Sequence, residues 1–171
     1  MKAGHVLVLV AAAALAGCQS MSGEAPRASA GLSPTAGSKV IGEVNFEQVG
    51  SKVRVTAQVI RLPAGKEFGF HIHEKGDCSS GDGLSAGGHF NPYGKPHGKG
   101  AERHAGDLPN LKSDAKGKAK LSVELDTITL GSGPASIIGR GVIVHANPDD
   151  YTSQPVGNAG ARIACGVIKL N

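Results

Sequence analysis

The sequence predicts an all-β domain, namely a Greek-key β-sandwich or flattened barrel of about eight antiparallel strands with two long functional loops. Three observations favour this fold. The 171 residues include 26 glycines and 9 prolines, which punctuate the chain with turns. Short runs rich in Val, Ile and Thr alternate apolar and polar residues, as strands with one dry face do. No run is convincing as a helix, so the pattern is typical of sandwiches and barrels.

The predicted strands follow one another with long irregular segments between them. Alternation begins at Ala28, Ala30 and Leu32 and resumes after a turn. The further strand patterns lie at residues 40–46, 53–59, 68–73, 119–125, 136–146 and 162–170. Residues 74–116, in contrast, run for over forty positions with little periodicity. A connection of that length in a compact domain is generally functional or disordered.

The N-terminal residues have the pattern of a secretory leader. The apolar run at residues 6–16 is too short for a helix that spans about 30 Å of bilayer. Residues 1–17 are therefore predicted to be a signal peptide. They end in Leu15, Ala16 and Gly17, which with Cys18 resemble the lipobox of bacterial lipoproteins, where the cysteine becomes the acylated N-terminus. The alternative is a simple secretory signal followed by a coincidental cysteine.

The lipobox divides the chain and implies a location. Residues 18–27, rich in Ser, Gly, Ala and Pro, are predicted to be a lipidated N-terminus and flexible tether, and residues 28–171 to form the domain. Acyl chains would attach this domain to a membrane. Gln19 resembles the outer-membrane variant of lipoprotein sorting. We therefore expect a periplasmic protein that is anchored by lipid to the outer membrane.

Charge and cysteine content narrow the partners and the compartment. Cleavage before Cys18 removes only Lys2 from the 18 basic and 14 acidic side chains, so 17 minus 14 leaves a net charge of +3. So mild a net charge does not indicate the dense basic patch of a nucleic-acid-binding protein. A positive field near a site would nevertheless attract a small anion. The remaining cysteines, Cys78 and Cys165, form an even pair, which predicts a disulfide bond in an oxidising compartment.

The histidines supply a candidate metal site. Seven occur, and apart from His5 in the leader all lie in or beside two irregular segments. A lone histidine is usually a solvated surface group. However, His71 and His73 lie two apart on one strand face, where together with His145 they could bind copper. A further set supplies the nitrogen and oxygen donors of a tetrahedral zinc site: His89, His97, His104 and Asp107.

Four segments resemble the signatures of the copper/zinc superoxide dismutase family, and they extend the resemblance over residues 28–171. They are Gly69-Phe70-His71-Ile72-His73-Glu74, Ala86-Gly87-Gly88-His89-Phe90-Asn91-Pro92, Arg103-His104-Ala105-Gly106-Asp107-Leu108 and Gly157-Asn158-Ala159-Gly160-Ala161-Arg162-Ile163-Ala164-Cys165-Gly166. Each segment alone is suggestive, whereas all four in order are specific.

The resemblance implies one copper and one zinc ion per subunit, held by sets that share a ligand. The copper ligands would be His71, His73, His89 and His145. The zinc ligands would be His89, His97, His104 and Asp107. His89 would thus bridge the two ions as an imidazolate.

Two further residues acquire roles from the resemblance. Asp149 would link His71 to His97 by hydrogen bonds and so orient both ligands, the alternative being a solvated loop acid. Arg162 would lie near the copper and hold an anion through its guanidinium. Lys75 is a hypothesis for a second charge that steers the anion, based on its position alone.

The implied activity is superoxide dismutation, in which two superoxide anions become O₂ and H₂O₂ as copper is alternately reduced and reoxidised beside a structural zinc. His89 would release reduced copper and take up a proton for the second half-reaction. The chain departs from the eukaryotic pattern in three places. Val156 stands where a threonine is usual, residues 146–161 lack a glutamate-and-lysine guidance set, and the segment between His97 and His104 is shorter.

Two other functions compete with this interpretation. A copper-binding module, such as a periplasmic chaperone or store, would use the fold without turnover but should lose the bridging His89 or Arg162, and both are present. A structural adhesion domain whose histidines buffer zinc is the third interpretation. The pattern is compatible with either a monomer or a homodimer.

Overall fold

The computed structural model describes residue 1 and residues 24–171. The predicted Cys18, nearly all of the predicted signal peptide and residues 19–23 of the tether lie outside the described residues. Within the described part of the chain, no helix is long and apolar enough to cross a membrane.

Ten strands and one short 3₁₀ turn follow in chain order through residues 24–171. The strands are β1 (Arg27–Pro34), β2 (Ile41–Val49), β3 (Lys52–Ile60), β4 (Glu67–Phe68), β5 (Phe70–His73), β6 (Leu111–Lys112), β7 (Ala119–Leu125), β8 (Gly141–His145), β9 (Arg162–Val167) and β10 (Lys169–Leu170). The 3₁₀ turn is Leu84–Ala86, in the long segment after β5.

Eight of these strands form one curled antiparallel sheet, and β1 joins its two halves. The order is β5-β8-β9-β1-β2-β3-β7, with β10 also paired to β1. Residues 27–32 of β1 pair with β2, whereas Ser33 and Pro34 pair with β9. Because one strand belongs to both halves, the sheet folds over itself around a shared apolar core. The prediction of a flattened barrel of about eight antiparallel strands is confirmed.

The core follows from the alternation of apolar residues along the strands. In β3, Val53, Val55, Ala57 and Val59 are buried while the residues between them face outward, as the sequence predicts. Burial of a Val side chain stabilises a fold by about 1.5–3 kcal/mol. Strand β5 differs from β3, since all its residues are buried. The histidines of β5 therefore lie in the protein interior, where a ligand role accounts for them better than solvation does.

Three strand boundaries differ from the sequence prediction, each for a hydrogen-bonding reason. The predicted strand at 68–73 divides at Gly69, whose amide donates to Asn147 and whose carbonyl accepts from His145. The predicted strand at 136–146 is formed only from Gly141, because residues 136–140 form turn hydrogen bonds. The predicted strand at 162–170 is interrupted at Ile168, whose amide and carbonyl bond to the turn that precedes β8.

Backbone hydrogen bonds attach the long segment after β5 to that strand. The Ile72 amide donates to Gly106 at 2.9 Å, the Phe90 amide to Ile72 at 2.8 Å, and the Gly106 amide to Phe90 at 2.9 Å. The predicted disulfide is also present, with the Cα atoms of Cys78 and Cys165 5.8 Å apart. The segment is therefore an ordered functional loop whose parts lie against β5 and β9.

Gly106→Ala should destabilise the protein, because a Cβ there would lie 2.3 Å from the carbonyl oxygen of Ile72 and 3.1 Å from the Cβ of Phe90. Overpacking of this kind costs about 1–3 kcal/mol. Urea titration of the free energy of unfolding measures the effect. Gly100→Ala is the matched control in the same loop, since no atom lies within 4 Å of its added Cβ. Equal stability of the two variants would contradict the packing role of Gly106.

Candidate metal centre

A first cluster contains four buried histidines, whose ligand atoms all lie within 4.8 Å of one another: His71, His73, His89 and His145. Strand β5 supplies the first two, the loop supplies His89, and β8 supplies His145. The Nδ1 of His73 donates to the Gly87 carbonyl at 2.9 Å, and the Nδ1 of His145 donates to the Gly160 carbonyl at 3.1 Å. Since a carbonyl only accepts, each ring keeps its proton on Nδ1. The Nε2 atoms of the two rings lie 3.4 Å apart and carry free lone pairs.

A second cluster contains three histidines and one carboxylate: His89, His97, His104 and Asp107. The Nδ1 of His89 lies 2.9 Å from Asp107 Oδ1, that of His97 lies 3.0 Å from Oδ2, and that of His104 lies 3.3 Å from Oδ1. All four side chains are buried. His89 belongs to both clusters, and its Nδ1 faces Asp107 whereas its Nε2 has no hydrogen-bond partner.

The unsatisfied nitrogens test whether these clusters fit metal ions. Among the described residues, four buried side-chain nitrogens have no partner in hydrogen-bonding geometry, although two of them lie close to Asp107: His71 Nδ1, His89 Nε2, His97 Nδ1 and His104 Nδ1. Each buried unsatisfied group costs about 1–3 kcal/mol. The first two belong to the first cluster and the other two to the second. A tetrahedral zinc ion with bonds of about 2.0–2.1 Å places its ligand atoms about 3.3 Å apart. The spacing around Asp107 thus fits zinc, and the four-imidazole cluster fits copper.

Asp149 connects the two clusters from behind. Its Oδ2 accepts from His71 Nε2 at 2.8 Å, and its Oδ1 accepts from His97 Nε2 at 2.9 Å and from the Tyr151 amide at 2.7 Å. Burial acts to raise the pKa of Asp149, but these hydrogen bonds outweigh it and lower the pKa to about 2. The carboxylate is therefore ionised at neutral pH. It fixes the proton of each ring on Nε2 and so leaves both Nδ1 atoms free to bind metal.

Burial also keeps the imidazoles neutral. It lowers the pKa of His71 to about 4 and that of His145 to about 3. The pKa of His73 lies well below its ordinary value for the same reason. Neutral imidazoles are the form that coordinates metals, so little proton release opposes binding at pH 7.

Arg162 lies beside the first cluster in a defined orientation. Its guanidinium donates to the Gly83 carbonyl at 2.7 Å and to the Gly87 carbonyl at 2.6 Å. Both carbonyls belong to the loop that the disulfide ties to β9. Burial lowers the pKa of Arg162 and the charge of Asp82 raises it, and the guanidinium stays protonated at any physiological pH.

A cavity of about 410 Å³ opens onto the first cluster. It is lined by Ala36, His73, Asp82, Leu84, His89, His145, Val156, Gly160, Ala161 and Arg162. Lys75 is exposed and is not among the residues that line this cavity, so its steering role stays a prediction. Val156, identified as a departure from the family pattern, does lie at the cavity wall.

Two side-chain amides support the clusters, and neither is predicted from the sequence. The side chain of Gln154 pairs with the backbone of His97: its Nε2 donates to the His97 carbonyl and its Oε1 accepts from the His97 amide, each at 2.8 Å. In the same way Asn110 exchanges two hydrogen bonds of 3.0 Å with the backbone of Asp149. Neither residue is a ligand or stands at a diagnostic spacing, so no sequence signal marks it.

Gly157 explains part of the last family-like segment. A Cβ on this residue would lie 1.9 Å from Asp149 Oδ1 and 2.6 Å from His97 Nε2, and its φ is 64°. Only glycine allows the chain to cover the Asp149 carboxylate this closely. The loop after β8 is thereby packed on the loop that carries His97.

Comparison with known proteins agrees with this geometry. The sequence profile of copper/zinc superoxide dismutases matches residues 40–168. The chain belongs to the copper/zinc superoxide dismutase family. It is 43% identical over 137 residues to a copper-zinc superoxide dismutase of Aquifex aeolicus strain VF5, covering 77% of this chain and 80% of that protein.

Further relatives extend the family match in sequence and in structure. The copper-zinc superoxide dismutase of Schizosaccharomyces pombe is 49% identical over 143 residues, covering 78% of this chain and 92% of that protein. The crystal structure of a SOD-like protein from Bacillus subtilis matches with a TM-score of 0.75 at 36% identity, covering 81% of this chain and 96% of that chain. Members of the family therefore share both the fold and much of the sequence of this chain.

Gln154→Ala should lower zinc affinity about tenfold, the lower end of the range for residues that orient metal ligands, because the backbone of His97 loses both amide hydrogen bonds. Competition with a chromogenic chelator measures the affinity. Thr152→Ala is the control in the same loop, since its hydroxyl bonds only to Asp150. If both variants bound zinc as tightly as the unmodified protein, the orienting role of Gln154 would be wrong.

Proposed function

We propose that this protein is a copper/zinc superoxide dismutase, which converts two superoxide anions and two protons into O₂ and H₂O₂. One observation carries the proposal: two four-donor clusters share His89, and the all-imidazole cluster opens on a cavity beside Arg162. When bound, copper supplies reversible one-electron chemistry and zinc supplies a fixed charge without redox change. The family match supports the same activity.

We assign one copper and one zinc ion to each subunit. Copper is assigned to His71, His73, His89 and His145. Zinc is assigned to His89, His97, His104 and Asp107. Asp149 is assigned a positioning role, because it bonds to one ligand of each set and is not among the residues that line the cavity.

His89 is suited to hold and move a proton during turnover. Its Nδ1 is directed at Asp107, whereas its Nε2 has no hydrogen-bond partner and belongs to the cluster that lines the cavity. A proton taken up at Nε2 would lie beside the bound anion. Transfer from this atom supplies one of the two protons that the leaving peroxide needs, and solvent in the cavity supplies the other.

Arg162 is suited to hold the anion while electrons are exchanged. A guanidinium has five N–H donors, and the Gly83 and Gly87 carbonyls occupy two of the nitrogens without neutralising the charge. The remaining N–H donors are available to a small anion that enters the cavity, in the planar fork geometry of a guanidinium. A copper chaperone or store would need no such charge at the wall of its cavity.

His145→Ala and His104→Ala form a reciprocal test of the function and of the two ligand sets. His145→Ala should lose copper but keep zinc and lose at least a hundredfold in dismutation rate, because only the copper set contains this residue. His104→Ala should lose zinc affinity while it keeps copper. Mass spectrometry of metal content and a dismutation assay of the copper- and zinc-loaded protein beside its apo form measure these effects. Equal activity of the loaded, apo and His145→Ala proteins would contradict the proposed dismutase activity.

We also propose that the protein is a lipoprotein of the periplasm, anchored to the outer membrane through Cys18. The leader pattern at residues 1–17 and the lipobox support this location. A monomer and a homodimer are both compatible with this location, since either can be tethered through residues 18–27.

Cys18→Ala should abolish lipid labelling, because the thiol that carries the acyl group is removed. Cells fed an alkyne fatty acid, followed by cell fractionation, should show label on the unmodified protein in the outer-membrane fraction and none on the variant. Ser20→Ala is the control, since it changes the tether without the lipobox cysteine. Absence of label from the unmodified protein would contradict the anchor.

A further inference from the structure

A second groove lies directly beside the cavity of the all-imidazole cluster. It has a volume of about 400 Å³ and shares three wall residues with that cavity: Ala36, Ala161 and Arg162. A small solute in the groove is therefore separated from the cavity by this shared wall.

The side chains that line the groove carry a net positive charge, whereas the acidic and basic side chains that line the cavity balance each other. Lys39 and Arg61 line the groove together with Arg162, and no acidic residue of the described chain lines it. Lys39 and Arg61 are exposed, and neither forms an ion pair with any residue in the range 24–171. In the cavity, by contrast, Asp82 offsets the charge of Arg162. Lys39 and Arg61 therefore add uncompensated positive charge beyond the cavity wall, which would attract an anion from a distance.

Hydrogen bonds attach the turn that carries Lys39 to the backbone of Arg162 and of Gly81. The Thr35 hydroxyl donates to the Arg162 carbonyl at 2.6 Å, and the Ala36 amide donates to the Gly81 carbonyl at 2.6 Å. The Ser38 amide donates back to Thr35, and the Ser38 hydroxyl accepts from the Val40 amide. These bonds fix the backbone of Lys39 relative to the residue that holds the anion.

Arg61 has an equally defined position. It follows β3 directly with a φ of 64°, an uncommon conformation for a residue other than glycine. The buried Leu62 after it donates its amide to the Gly117 carbonyl at 3.1 Å. The side chain of Arg61 thus projects at the groove from a backbone that its neighbours hold in place.

We propose that Lys39 and Arg61 are the charges that guide superoxide, through the groove and over the shared wall, to Arg162. This inference rests on the proposed dismutase function and names its steering residues. Lys75, the candidate from sequence alone, lines neither the groove nor the cavity. Steering acts on the encounter rate, so the two residues change the approach of the anion and leave metal binding intact.

The test is the dependence of the dismutation rate constant on ionic strength. For the Lys39→Gln, Arg61→Gln double variant, loaded with copper and zinc, we expect the rate constant at low salt to fall about threefold and its decline with added salt to become shallower. Lys52→Gln, Lys120→Gln is the matched control with the same change in net charge, since both residues are exposed and line neither the groove nor the cavity, and it should keep the steeper salt dependence. Metal content should be unchanged in both.

Charge reversal and charge exchange complete the design. Lys39→Glu, Arg61→Glu should fall further, by about tenfold at low salt, and its rate should rise with added salt because repulsion is then screened. Lys39→Arg, Arg61→Lys keeps both charges and should behave as the unmodified protein does. An active protein whose salt dependence is the same in the neutral double variant and the control would overturn the steering role. An inactive unmodified protein would instead overturn the dismutase proposal itself.

Discussion

The pairing of the Ile72 backbone with Phe90 and Gly106 is the constraint on which the metal centre depends. These three hydrogen bonds join the three segments that carry most of the metal-binding side chains, and they set the spacing between those segments. Isolated bridges between His71 and Asp107 and between His73 and His89 continue the same pairing. Main-chain geometry therefore brings together donors that would repel or remain unsatisfied without an ion.

Two buried carboxylates then turn this proximity into two distinct sites. Asp107 presents its carboxylate oxygens beside the imidazoles as a potential metal ligand. Asp149 instead accepts hydrogen bonds from the Nε2 atoms of two rings, so that their protons point away from the metal sites. Because His71 and His97 share Asp149, a displacement of one ring is transmitted to the other. His89 couples the sets a second time through its own ring. Asp149 and His89 are therefore the two direct contacts through which the two sites touch.

Much of the fold and of the site could be predicted because both leave local patterns in the sequence. The alternation of β3 and the spacing of His71 and His73 are properties of neighbouring residues, and both match the structure. Gln154 and Asn110 could not be found, since their partners lie far along the chain and an amide has no diagnostic spacing. Lys75 was singled out because it is near a ligand in sequence, and its steering role stays a prediction, since distance from the cavity depends on how the chain folds rather than on sequence separation.

The double membership of β1 also determines when the sheet can be completed. Its residues pair with β2 early in the chain but with Ala164, Cys165, Lys169 and Leu170 at the far end. Contacts with such large sequence separation form slowly. A chain that emerges N-terminus first must therefore keep one side of its central strand unpaired until residues 164–170 arrive, and that open edge would be available to other strands throughout synthesis.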